Sequence, residues 1–262
     1  MERKSKFINK TLYHIESKNL IPLIWWGLVL AGFLVATMSL YPTMSKLLAD
    51  MPSNMQPYVT GMENINTYFE TQVGQIWALL VCIYGGYLAV KLVTKELKNN
   101  TYQVLYTTSI SRTEIIRTKA LRLFVNVTLL NLICMIASVI SLSIWGNAVN
   151  YWNFVFYAFL VWAITIVLSF LVFGFALLFK KKFGAVVAML IVMLLYFVSS
   201  FVLDPSLEWL NYFTPFSLTY GSVLTNGFSG VVLNGIPLVI WCAITVIFNV
   251  IGYFKFKKSD LC

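Results

Sequence analysis

Residues 154–179 read FVFYAFLVWAITIVLSFLVFGFALLF, a run without one charged side chain. An α-helix needs about 20 predominantly apolar residues to cross the hydrocarbon core of a bilayer. The whole chain of 262 residues is 59% hydrophobic and only 11% charged, whereas soluble domains are about 25% charged. This composition excludes a soluble enzyme and predicts an all-α integral membrane protein.

Five further stretches have the same apolar character, which gives six predicted transmembrane helices. They lie near residues 21–41, 76–93, 121–144, 154–179, 184–203 and 236–254. The first follows basic residues as a signal peptide does, but its apolar run is too long and no small-residue cleavage site closes it. We therefore expect an uncleaved first span and one six-span domain over residues 21–262.

The basic residues sort onto one side of these spans. The N-terminal segment, the connections after spans two and four, and the C-terminal tail carry every Lys and Arg residue except Lys46. The opposite side carries that lysine and the acidic residues Asp50, Glu63, Glu70, Asp204 and Glu208. Because cytoplasmic connections are rich in Lys and Arg, both termini are predicted to lie in the cytoplasm. Topology and contact with anionic lipid account for the net charge of +9 without nucleic acid.

The centres of the predicted spans contain no ionisable side chain. Such residues usually mark proton relays, ion paths or catalytic sites, so their absence weighs against a stand-alone channel or secondary carrier and against a membrane enzyme. No Gly-Lys dipeptide occurs, so the chain has no Walker A loop with which to hydrolyse ATP itself. The mild polar residues in the spans, such as Asn131, Thr165 and Asn249, are expected to hydrogen-bond between helices.

Residues 1–20 are predicted to form an amphipathic helix at the membrane interface. Phe7, Ile8, Leu12 and Ile15 share one helical arc. Such a helix would lie on the inner leaflet before the first span. A poorly ordered basic tail is the alternative.

The connection between spans two and three, residues 95–119, reads KELKNNTYQVLYTTSISRTEIIRTK. Ser111 to Glu114 is a capping-box pattern, in which the Ser111 hydroxyl accepts a hydrogen bond from the Glu114 amide. A helix that starts there would run without a break into span three. The connection therefore predicts a long third helix that begins outside the membrane.

A short helix is predicted before this capping box. Asn100 can cap a helix that runs through Ser109 and places Tyr102, Leu105 and Tyr106 on one face. Such a helix would present a compact apolar and aromatic surface to a cytoplasmic partner. A solvated loop between two spans is the alternative.

The same connection resembles the hallmark segment of ABC-2 type exporter permeases. In that family an acidic residue at the end of span two precedes a Gly-Thr or Lys-Thr pair, a Leu-rich turn, a Pro-(Ile/Val)-Ser-Arg tetrad and a downstream Lys. Ser109 stands here where the family often has Pro, and Asn100 where Gly is common. The matching residues are Glu96, Asn100, Thr101, Leu105, Ile110, Ser111, Arg112 and Lys119.

The resemblance implies the membrane subunit of an ABC exporter in a bacterial cell membrane. Two such subunits, identical or related, would pair, and each would engage a separately encoded ATPase that binds ATP and Mg²⁺. No cofactor is expected on this chain itself. The predicted ATPase-coupling region comprises Glu96, Asn100, Thr101, Tyr102, Leu105, Tyr106, Ser111, Arg112 and Lys119.

The last outer connection, residues 204–235, is long, aromatic and free of basic residues. Its Thr214-Pro215-Phe216 resembles the Thr-Pro-Phe that precedes span six in the same family, where short re-entrant helices cap the translocation path. The predicted outer-gate residues are Trp209, Phe213, Pro215 and Phe216. An aromatic belt at the membrane interface is the alternative.

The uncharged spans favour a hydrophobic or amphipathic cargo over a small hydrophilic ion. Within the family the chain looks most like short Gram-positive permeases that export amphipathic peptides, such as phenol-soluble-modulin, lantibiotic and bacitracin exporters. A lipid-linked glycan or a metal ion is the alternative cargo. Methionines 44, 51, 55 and 62 form a possible Cu(I) cluster, but adaptable apolar packing explains them as well, and no metal site is predicted.

Overall fold

The structure, a computed structural model, describes residues 20–50, 64–98, 111–145, 150–179, 182–201, 209–210, 213–219, 223–227 and 235–258. Every regular element within these ranges is helical, which confirms the all-α fold class. The predicted interfacial helix at the N-terminus, up to residue 19, lies outside the described residues. So does the predicted short helix from Asn100 to Ser109.

Eleven helical elements follow one another along the described chain. They are α1 (Ile21–Ser39), α2 (Tyr41–Ala49), α3 (Ile65–Tyr68), a π-helix (Phe69–Gly74), α4 (Gln75–Lys98), α5 (Arg112–Trp145), α6 (Tyr151–Phe179), α7 (Lys182–Phe201), a 3₁₀-helix (Pro215–Thr219), α8 (Val223–Asn226) and α9 (Ile236–Lys258).

Within the part of the chain that the structure describes, five segments are long and apolar enough to cross a membrane. They are Ile21–Ala49, Ile65–Thr94, Arg112–Trp145, Tyr151–Phe179 and Ile236–Lys258. Helix α7 has 20 residues, of which Val186–Ser199 form a shorter apolar stretch. The chain is thus a multi-pass membrane protein with five of the predicted spans identified, and the sixth span stays a prediction.

Helix α6 forms the centre of the bundle. It contacts α4, α5, α7 and α9, and a helix that is hydrophobic all round is expected to be buried. Its residues Phe154, Tyr157, Val161, Ile164 and Leu168 are fully buried. By contrast, α1 packs mainly on α5 and presents much of its apolar surface to its surroundings.

Helices α6 and α9 approach each other closely at two glycines. A Cβ atom added to Gly252 would lie 2.9 Å from the carbonyl oxygen of Gly174. Small residues allow helix backbones in membranes to come this near. Asn249 of α9 strengthens the contact by donating a 2.9 Å hydrogen bond from Nδ2 to the carbonyl oxygen of Phe170.

Neutral side chains join three helices inside the bundle. Trp77 Nε1 donates to Asn131 Oδ1 at 3.1 Å, and Asn131 Nδ2 donates to Thr165 Oγ1 at 2.9 Å. This chain of bonds connects α4, α5 and α6. It confirms the prediction that polar residues in the spans bond between helices, whereas Thr37 and Ser199 bond within their own helices.

The helical segment that contains predicted span two begins earlier than the predicted span. The sequence places the start of this span near residue 76, but helix continues back through the π-helix to Ile65. Asn64 explains the new start, because its Oδ1 accepts a 2.9 Å hydrogen bond from the amide of Asn66 and caps α3. Tyr68 and Phe69 are buried against neighbouring helices. As a result, Glu70 lies in a helix and not in a solvated connection.

Candidate functional site

One end of the bundle collects the basic residues and is called the basic end. It holds the beginning of α5 and the end of α9, with Arg112, Arg117, Lys119, Lys255, Lys257 and Lys258. The opposite end carries residues 213–219 and 223–227, called the cap. Of the described residues, those predicted from sequence to act in coupling lie at the basic end, and those predicted to act in gating lie at the opposite end.

Helix α5 begins where the capping box predicts. The Glu114 amide donates a 3.2 Å hydrogen bond to Ser111 Oγ, and the Ile115 amide donates to the Ser111 carbonyl oxygen at 3.2 Å. The helix then runs unbroken to Trp145. Its first turns and its membrane-crossing part are therefore one continuous rod.

The first turn of α5 is bonded to the last turns of α9. Arg112 Nη1 donates to the carbonyl oxygen of Lys257 at 2.9 Å, and the hydroxyls of Thr113 and Tyr253 lie 3.1 Å apart. A cation at the C-terminus of a helix also complements the helix dipole. These two bonds join the ends of helices that are far apart in sequence.

Lys119 joins α5 to α4 from inside the bundle. Only 3% of this residue is exposed, and Nζ donates a 2.6 Å hydrogen bond to the carbonyl oxygen of Leu92. Charge-assisted bonds of this kind are short and strong. Together with Arg112 and Thr113, Lys119 forms the basic junction, which connects α4, α5 and α9.

The predicted coupling residues thus divide by position. Ser111 is exposed, Arg112 is half-buried and Lys119 is buried, and all three lie in or next to the first turns of α5. Glu96 lies in the last turns of α4, four residues beyond Leu92. The others fall outside the described residues: Asn100, Thr101, Tyr102, Leu105 and Tyr106.

The predicted gate residues divide into an exposed and a buried pair. Trp209 and Phe213 are 56% and 61% exposed, and their rings meet edge to face at 5.9 Å. Pro215 and Phe216 are buried, and Phe216 packs against the ring of Tyr196 at 5.7 Å. The sequence pattern predicts the same role for all four, but only the second pair buries its side chains in the bundle.

The cap is hydrogen-bonded to three long helices. Thr214 Oγ1 donates to the Leu195 carbonyl oxygen of α7 at 2.8 Å, and Trp241 Nε1 of α9 donates to the Phe213 carbonyl oxygen at 2.8 Å. Tyr157 of α6 donates from its hydroxyl to the carbonyl oxygen of Thr219 at 3.4 Å. Movement of the cap therefore requires several bonds to break together.

Glu70 is a cap contact that the sequence analysis missed. It is 1% exposed, and its Oε1 accepts a hydrogen bond from the amide of Leu224. Asn153 Nδ2 donates to the carbonyl oxygen of the same Leu224 at 2.9 Å, so both sides of this residue are held. The π-helix that carries Glu70 is a type of irregularity frequent at functional sites.

A sequence signal for Glu70 was present. The segment from Asn66 to Gln75 has two aromatic residues, Tyr68 and Phe69, directly before the carboxylate, and it contains no proline. Continuous helix from Ile65 into span two was therefore compatible with the sequence. The described residues contain no group of three His, Cys, Asp or Glu side chains that could hold a metal ion.

Comparison with known proteins identifies a family for this arrangement. A family model described as "ABC-2 family transporter protein" matches residues 11–261 and so spans both the basic junction and the cap. No curated protein matches the chain.

Proposed function

This chain belongs to the ABC-2 family of transporter proteins, and from that premise we propose that it is an exporter subunit driven by a separately encoded ATPase. Family members are membrane subunits of ABC transporters and are not themselves catalytic. They normally work with a cytoplasmic ATPase. The family match over nearly the whole chain is the observation that carries this proposal.

The proposed topology has six spans, with α7 as the fifth, and both termini in the cytoplasm of a bacterial cell. The apolar stretch of α7 and its contacts with α6 and α4 support its role as a span. The three lysines in the last turn of α9 and the arginines at the start of α5 support a cytoplasmic basic end.

The basic junction is the proposed route by which the ATPase moves the spans. The ATPase would press on the segment between α4 and α5, where the family's coupling residues lie. The bonds from Arg112, Thr113 and Lys119 would make α4, α5 and α9 move as a group. Small shifts of bonded and packed elements are the usual way in which transporters and switches change state.

The cap is the proposed outer gate of an amphipathic-peptide exporter that works as a dimer of two permease copies. Phe216 and Glu70 would hold the gate closed, and exposed Trp209 and Phe213 would meet the leaving cargo. The neutral polar contacts inside the bundle support a cargo that crosses without a buried ionic partner.

Purification of the native complex tests this proposal. A tagged chain extracted in mild detergent should retain an ABC ATPase, a second permease copy and an amphipathic peptide, each identified by mass spectrometry. Leu105→Asp in the coupling segment should lower ATPase retention while the chain still inserts in the membrane, and Lys46→Asp at the other end serves as the matched control. Ion flux by the chain alone in liposomes without ATP would contradict the proposal.

A further inference from the structure

A groove of about 740 Å³ opens on the surface of the bundle between α5, α6 and α9. Its lining is almost entirely apolar and includes Phe124 of α5, Phe170 of α6, and Val246 and Val250 of α9. Two polar residues in the lining, Thr245 and Asn249, already donate hydrogen bonds to carbonyl oxygens of α6. The groove therefore suits a hydrocarbon chain.

The length of the groove matches one leaflet of a bilayer. Its lining on α9 extends from Cys242 to Phe254. At a rise of 1.5 Å per residue this distance is about 18 Å, and half of the hydrocarbon core is about 15 Å thick. A single acyl chain would fill the groove from the interface to the middle of the membrane.

Helical periodicity places two cations beyond the basic end of this groove. Tyr253 lines the groove and its hydroxyl meets Thr113 of α5. Arg117 follows Thr113 by four residues, and Lys257 follows Tyr253 by four residues, so each lies on the groove side of its helix. Both Arg117 and Lys257 are exposed.

We propose that this groove binds one anionic phospholipid, with an acyl chain between α5, α6 and α9 and the phosphate at Arg117 and Lys257. The occupant is inferred from charge complementarity. The groove is apolar, is about as long as one leaflet is thick, and ends near two cations, so it is complementary to a lipid with an apolar chain and one anionic headgroup. Placement in the inner leaflet rests on the proposed topology.

The proposed lipid would lie beside the basic junction. Arg117 is one helical turn from Thr113, and Lys257 supplies the carbonyl oxygen that Arg112 binds. A bound phosphate would therefore stabilise the same contact between α5 and α9 that the junction makes. Anionic lipid is accordingly expected to strengthen the junction and not merely to surround the protein.

Fluorescence quenching at Cys242 tests the proposal. Cys242 lines the far end of the groove and is exposed, whereas Cys82 and Cys134 are buried. The full chain, with Cys262→Ser to remove the terminal thiol, would be labelled at Cys242 with a small fluorophore and placed in nanodiscs. Phosphatidylglycerol or phosphatidylcholine brominated near the chain end would then be titrated in as the quencher.

The expected result is at least threefold stronger quenching by phosphatidylglycerol, since one cation near an anionic headgroup contributes about fivefold in binding. The double variant Arg117→Gln/Lys257→Gln should reduce this ratio to near one. Lys255→Gln is the control, because Lys255 lies at a similar depth but over the Phe179 ring of α6. This variant should keep the parental quenching ratio.

Three outcomes would overturn the proposal: equal quenching by both lipids, a preference that survives the double variant, or no quenching by either lipid because protein covers the groove. Native mass spectrometry of the unlabelled chain should show the same lipid preference and checks that the label does not create it. Neither measurement needs the ATPase. Absence of lipid preference would therefore leave the exporter proposal unaffected. In the same way, absence of an ATPase partner would leave the lipid site unaffected.

Discussion

The basic end and the cap end of this bundle are both held by hydrogen bonds between distant elements, but the surroundings of those bonds differ. At the basic end Arg112 is only half-buried, so water can replace its bond to α9 when it breaks. At the cap end Glu70 and Phe216 are shielded from water. A buried polar group that loses its partner costs about 1–3 kcal/mol.

Under the proposed function, this difference would let the basic end adjust while the cap stays in place. Within the basic junction, the half-buried contact of Arg112 with α9 can break at small cost, whereas the buried bond of Lys119 keeps α4 and α5 together. The cap contacts three long helices and the π-helix, so it is expected to open as a unit. An ATPase acting on the basic end would thus have to deliver enough free energy to release the cap.

Phe216→Ala should have the largest effect on the free energy of unfolding. Removal of a fully buried phenylalanine leaves a cavity and costs about 3–5 kcal/mol. Phe213→Ala is the matched control, because its side chain is 61% exposed, and its cost should stay below about 1 kcal/mol. Denaturant titration in detergent micelles measures both values. Similar losses in the two variants would show that the cap is not anchored through Phe216.

Glu70→Ala should release the cap locally, at a cost of about 1–3 kcal/mol, because the Leu224 amide loses its buried acceptor. Hydrogen exchange across residues 223–227 should become faster, while exchange within α5 should not change. Glu70→Gln keeps an acceptor oxygen of the same shape and should retain more than half of the protection. Equal exchange in the Ala variant and the parent would contradict the contact.

Lys119→Met should weaken the contact between α4 and α5 by about 1 kcal/mol. The methionine fills the space of the lysine stem, but the Leu92 carbonyl oxygen loses a charged donor. Lys91→Met is the matched control, because Lys91 is exposed on α4. Denaturant titration under the conditions used for Phe216→Ala should show a larger loss of unfolding free energy for Lys119→Met than for Lys91→Met. A larger loss for Lys91→Met would contradict the buried role of Lys119.

Local patterns predicted the fold better than they predicted the cap. The start of α5 could be read from Ser111 and Glu114 because a capping box involves only neighbouring residues. The α4–α5–α6 contact through Asn131 and Thr165 could be anticipated because polar groups in membranes seek partners. The exposed apolar runs and the sorted charges were sufficient for the fold class.

The cap contacts could not be predicted from the sequence, because they depend on burial by residues that are distant along the chain. Phe213 and Phe216 are both aromatic and close in sequence, and only contact with Tyr196 of α7 distinguishes them. From the sequence, Glu70 is predicted only to lie on the side opposite the basic connections, and carboxylates are rarely fully buried unless paired. Its partner is the amide of Leu224, which lies far along the chain, and no local pattern announces such a bond.

The most direct test of the central claim is ATP hydrolysis by the purified complex in nanodiscs, compared between the parent, Arg112→Ala and Lys46→Ala. Because Arg112 is half-buried, the Arg112→Ala substitution should lower the free energy of unfolding by less than about 1 kcal/mol. The complex should therefore stay assembled, while cargo-stimulated hydrolysis falls by about fivefold or more because coupling through the basic junction is lost. Lys46→Ala, an exposed cation at the opposite end, should keep the parental rate. Parental stimulation in an assembled Arg112→Ala complex would contradict the claim that the basic end receives the ATPase.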